Sequence, residues 1–154
     1  MIKNERQLKI TGNALRKFES ILVQLRTQYQ SSPDLKLKMQ IDALETDISK
    51  LKRDIEEFEY LKSGAVKIIS AKSFHDLPNV LIKARIARAL TQKDLALKLG
   101  MKEQQIQRYE TNDFASASFA IMAKIVDAPR FIKEYLPCLG RRPIKRGWGG
   151  VKRM

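Results

Sequence analysis

The sequence predicts an all-α protein: an N-terminal antiparallel coiled-coil hairpin followed by a cluster of short helices. Three observations predict it. Two apolar stripes of heptad spacing occupy the first 64 residues. A short Ser/Pro/Asp segment separates them. Residues 79–127 then divide into short helical units with capping residues between them.

The first stripe is Leu8, Thr11, Leu15, Phe18, Leu22, Leu25 and Tyr29, with spacings alternating between three and four. Gly12 weakens its start by about 1 kcal/mol. Ser31-Ser32-Pro33-Asp34 breaks the pattern. Ser32 or Asp34 is suited to cap the next helix, and Pro33 to enter its first turn. The second stripe is Leu37, Ile41, Leu44, Ile48, Leu51, Ile55 and Phe58, with no Pro or Gly in residues 34–62. Such a helix is about 43 Å long at 1.5 Å per residue. Gly64 is placed to end it in a left-handed cap. Two helices joined this tightly run antiparallel. The hairpin leaves apolar surface to be covered. A second copy of the chain or the downstream domain would cover it; dimerisation is the reading preferred, ahead of a hairpin that is only a spacer and of a docking surface for a different protein.

Residues 65–78 read as a connector, with Val66, Ile68 and Ile69 in a short extended stretch and His75 in a solvated turn. Asn79 is expected to cap a helix carrying Leu81, Ile82, Ile86 and Leu90. Thr91 caps the next, Gln92–Leu99, and Gly100 closes it. Met101-Lys102 turns into a third, Glu103–Thr111, anchored by Ile106 and Tyr109 and ended by Asn112-Asp113. Ser116 or Ser118 starts a fourth, with Phe119, Met122, Ile125 and Val126 turned inward. Phe131–Leu136 adds a last turn.

Charge narrows the function. Lys plus Arg number 30 and Asp plus Glu 17 in 154 residues, a net +13. The excess lies in the C-terminal 90 residues, and the last 19 carry six bases and no acid. Such a surface suits a polyanion. One Cys and one His argue against a zinc site, an internal disulfide and a Cys/His nucleophile pair. No carboxylate dyad stands out, so neither catalysis nor a cofactor is implied. No apolar run reaches the roughly 18 residues of a membrane span. The first residues lack the apolar core of a secretory signal, so a cytoplasmic location is expected.

The helices before and after Gly100 make a helix-turn-helix unit. Ala96 is small where they cross, and Met101 and Ile106 fill the angle between them. The outer face of the second helix, Lys102, Glu103, Gln104, Gln105, Gln107 and Arg108, carries side chains able to bond base edges. Gln pairs with adenine and Arg with guanine in the major groove.

Thr91-Gln92-Lys93-Asp94-Leu95-Ala96-Leu97-Lys98-Leu99-Gly100, followed by Met101-Lys102-Glu103-Gln104-Gln105-Ile106-Gln107-Arg108-Tyr109-Glu110, resembles the phage-repressor/Cro-type helix-turn-helix of Xre-like transcription regulators. The resemblance covers about residues 79–127. It implies a five-helix domain, here residues 79–136, that acts as a homodimer on near-palindromic double-stranded DNA. It places Glu103, Gln104 and Arg108 at base edges, with Gln105 and Gln107 on the same face. It places Gln92 at a phosphate, with Lys93, Lys102 and Asn112 flanking. It pairs Arg85 with Glu110. The family often has Ser or Thr where Lys102 stands, so the usual capping hydroxyl is missing, and Glu103 is also placed to support the helix N-terminus electrostatically.

The leading expectation is a repressor dimerised by the hairpin, residues 1–64. The alternative is an antitoxin that binds a toxin or other protein partner and autoregulates its operon. Residues 137–154, a basic and glycine-rich tail, are expected to be disordered. Phosphate contact and simple solubilisation are both open for it.

Overall fold

A computed structural model of the protein describes residues 1–66, 69 and 73–127. It is helical: α1 (Glu5–Ser31), α2 (Leu35–Lys62), a 3-10 turn (Phe74–Asp76), α3 (Leu77–Ala87), α4 (Gln92–Leu99), α5 (Glu103–Thr111) and α6 (Phe119–Asp127). No strand occurs among the described residues. No helix among them is long and apolar enough to cross a membrane. The expected last turn at 131–136 and the basic tail lie outside the described residues.

The hairpin forms where the two stripes placed it. The side chain of Asn4 caps α1 by accepting from the Gln7 N–H at 2.9 Å. Asp34 stands at the start of α2, but its side chain makes no cap bond, and Pro33 lies before the helix rather than in its first turn. Ion pairs Glu5–Lys62 (2.7 Å), Glu19–Lys52 (2.8 Å) and Arg26–Glu45 (2.7 Å) run from the open end towards the tip and fix an antiparallel register. All are exposed, so they set register more than stability. Ile41, Ile48, Phe58 and Leu61 of α2 are buried, whereas no residue of α1 is. Gly64, at φ +71°, closes α2.

Ile2, Phe58 and Leu61, at the open end of the hairpin, join one apolar cluster with Leu81, Ile82, Leu95, Ile106, Phe114 and Ile125. The core therefore runs across the connector, and Lys83 of α3 binds Glu57 of α2 at 2.6 Å. Of the connector, Val66 is half-buried and Ile69 buried, neither in regular structure. Ile68 lies outside the described residues.

Two further local expectations are corrected. Asn79 does not cap α3; the helix begins at Leu77, with Asp76 before it and Pro78 in its first turn. Proline fits there because the first-turn N–H has no helical partner to lose. Asp76 instead accepts bonds from the Ser73 N–H and hydroxyl. Phe119 is 69% exposed, not turned inward. Ile121, Met122 and Val126 pack on the core beside the buried Ile125.

Three successive helices end in the same way. After α3, Ala89 N–H bonds Ile86 C=O and Leu90 N–H bonds Arg85 C=O. After α4, Gly100 N–H bonds Leu97 C=O and Met101 N–H bonds Ala96 C=O. After α5, Asp113 N–H bonds Glu110 C=O and Phe114 N–H bonds Tyr109 C=O. This is the Schellman closure, whose turning residue takes a left-handed conformation. Glycine does so freely at 100 (φ +65°), but Ala89 (φ +51°) and Asp113 (φ +47°) must be held there by their surroundings. Phe114 repays the third turn by burying its ring and stacking it on Tyr109, centroids 6.2 Å apart.

Candidate nucleic-acid interface

Helices α4 and α5 are set by their caps and their crossing. Thr91 Oγ1 accepts from the Asp94 N–H at 3.1 Å, while Asp94 accepts from the Thr91 N–H and hydroxyl at 2.9 and 2.7 Å. The side-chain bond from Thr91, then the backbone one, holds the Asp94 carboxyl below the ordinary carboxylate range. Ala96 and Ile106 are buried where α4 and α5 meet. At the start of α5, Gln105 Oε1 accepts from the Lys102 N–H at 3.2 Å. That bond is half of a capping box, made in the absence of a capping hydroxyl.

Behind α5 lies a buried polar network. Arg85 Nε and Nη2 donate to the two carboxylate oxygens of Glu110 at 2.6 and 2.7 Å. Both side chains are almost fully buried. Two further N–H groups are used: Arg85 Nη1 donates to Leu90 C=O at 2.8 Å and Nη2 to Lys3 C=O at 2.6 Å. Gln92 Nε2 donates to Glu110 Oε2 at 2.8 Å. Lys3 Nζ reaches Glu110 C=O at 2.5 Å and Asp113 Oδ1 at 2.7 Å, and Asn4 Nδ2 reaches Gln92 Oε1 at 3.3 Å. A buried charge pair is tolerable only when its lone pairs and protons are satisfied in this way.

The network engages Gln92. Expected at a phosphate, its side chain is buried and committed at both ends, to Glu110 and to Asn4. Its amide positions α4 against α5. Lys3 and Asn4 are the residues that sequence reasoning missed. Asn4 followed by Gln7 carried a readable helix-start signal, but nothing near residues 3 and 4 points to partners 88 and 107 positions away.

The outer face of α5 is wet. Glu103, Gln104, Gln105, Gln107 and Arg108 are all exposed, as are Lys93, Lys102 and Asn112. Gln107 Nε2 donates to Glu103 Oε1 at 2.9 Å, one helical turn apart. With Gln105 engaged at the cap, Gln104 and Arg108 are left without a side-chain partner among the described residues. A cleft of about 460 Å³ flanks this face; its walls include Arg6 and Gln7 of α1, Thr91, and Glu103, Gln107 and Thr111 of α5.

Residues 81–131 match the family model described as Helix-turn-helix. This segment is an Xre/Cro-type helix-turn-helix domain. The match covers α3 to α6 and starts within α3, after Pro78. It makes the chain a DNA-binding transcription regulator, with further helices at its N-terminus. No curated protein and no solved structure matches the chain.

Proposed function

We propose that the protein is a repressor that acts as a homodimer on a near-palindromic operator, in the cytoplasm, with helix α5 in the major groove. Gln104 and Arg108 read base edges. The observation that carries this reading is their state: exposed on the recognition helix and unpaired among the described residues, while their neighbours bond one another. Each has the bidentate geometry that base recognition needs, Gln for adenine and Arg for guanine. Glu103 and Gln107 brace each other, and Gln105 caps the helix. Lys93, Lys102 and Asn112 stand at the rim as phosphate contacts. Arg85 and Glu110 hold α5 at its angle from behind.

The hairpin is the element that pairs the subunits. The partial burial of the α1 stripe and the exposure of Val23, Leu35 and Met39 near the tip of the hairpin support this role. Dimeric regulators of this kind meet half-sites about 34 Å apart, one turn of DNA. Selection of bound sites from random duplex DNA at fixed salt tests the proposal. A two-fold motif is expected. Recovery of unrelated sequences, with no duplex preferred over another, refutes it.

A further inference from the structure

The cleft beside α5 is bordered by an element outside the matched segment. Its cations are Lys3, Arg6, Lys62 and Arg85. Lys3 is committed to Asp113, Lys62 to Glu5 and Arg85 to Glu110. Arg6 is exposed and has no partner among the described residues.

Arg6 also begins a stripe. At 100° per residue, Lys9, Asn13 and Lys17 fall within 60° of it on the solvent side of α1, opposite Leu8, Leu15 and Leu22. All three are exposed, and no carboxylate interrupts the face: Glu5 and Glu19 point elsewhere, paired with Lys62 and Lys52. From Arg6 to Lys17 is about 16 Å along the helix, the axial rise of about five nucleotides in one DNA strand. The stripe is fixed relative to α5. Asn4 binds Gln92 and Lys3 binds Glu110, so the first turn of α1 and the recognition helix move as one piece.

We propose that Arg6, Lys9 and Lys17 form a second DNA-backbone contact, outside the helix-turn-helix domain, that tracks the phosphates flanking the half-site read by α5. The inference rests on the proposed function, because it needs α5 on DNA. Two features carry it: an uncommitted guanidinium in the wall of the recognition cleft, and a carboxylate-free face that carries Lys9 and Lys17 away from it, with Ile10 and Asn13 among them. Phosphate contacts of this kind add affinity and salt sensitivity without sequence preference.

The test uses the full chain and duplexes obtained by site selection. Association constants are measured between 50 and 200 mM salt for the wild type, R6Q/K9Q/K17Q and the charge-preserving R6K/K9R/K17R. Each lost phosphate contact lowers the slope of log K against log salt by about 0.9. The neutral triple variant is expected to lose up to about 2.7 of slope while selecting the same motif, and the charge-preserving variant to keep the wild-type slope. All three positions are exposed, so matching thermal melts are expected, and R6Q alone, expected to lose about 0.9, provides a less perturbed check. A wild-type slope in both R6Q and the neutral triple variant overturns the inference and leaves the proposed function standing. A changed motif also overturns it. A wild-type chain that prefers no duplex overturns both.

Discussion

The hairpin and the helix-turn-helix domain are built from the same kind of element and stabilised differently. Helix α1 has 27 residues and buries none of them. Helix α3 has 11 and buries seven, Arg85 included. A two-helix ribbon has no third side, so each stripe touches one partner and water on its flanks. The short helices of the second region enclose one another, and the hairpin contributes only its open end to their core. Regular heptads therefore mark length and direction more than burial, since in the two hairpin helices only Ile41, Ile48, Phe58 and Leu61 of α2 are buried. Dense packing comes from short helices turned sharply by the closures at Ala89, Gly100 and Asp113.

Four experiments break or sharpen this contrast. The largest effect is expected in the buried network. Glu110→Ala leaves Arg85 without its counter-charge and costs about 3–5 kcal/mol of stability. Glu45→Ala, which removes an exposed pair in the hairpin, costs no more than about 1 kcal/mol. Denaturant unfolding of the two variants measures both, and equal losses would erase the distinction between the regions. The second effect is on binding. Arg108→Ala is expected to weaken the selected duplex by about 1–3 kcal/mol and relax one base position, with the fold intact. A titration in which random DNA loses as much would remove Arg108 from base reading.

The third concerns a turn. Ala89→Gly relieves a left-handed alanine and is expected to stabilise by about 1 kcal/mol, seen as a rise in melting temperature. A fall would mean that the methyl group has packing value exceeding the strain. The smallest effect is a pH dependence. The Asp94 carboxyl titrates below its ordinary range when folded, so its stabilising effect is present above the unfolded value of about 3.9 and disappears as pH falls through the lower folded value. The stability difference between wild type and Asp94→Ala should therefore shrink between pH 7 and pH 3, as followed by denaturant melts.

Much of this was legible beforehand. The heptads of the hairpin, the Thr91 cap, the Gly100 turn and the wet face of α5 depend on neighbours within one or two turns, and such patterns survive in a linear reading. Asn79 carries a capping side chain, but the preference of Pro78 for a first turn decides where α3 starts. Phe119 shares the apolar spacing of Met122 and Ile125, yet as the first residue of a nine-residue helix it faces solvent. The place of Gln92 in the motif implies a phosphate contact and says nothing about Asn4. That contact depends on how the hairpin docks, which no local pattern encodes.

Lys3 and Asn4 make their contacts with residues that follow them by 88 to 110 positions. Residues that precede the hairpin thus latch the helix-turn-helix that follows it. Such distant pairings are entropically late events in folding. A chain truncated before Gln92 would hold the hairpin with Lys3 and Asn4 unanchored.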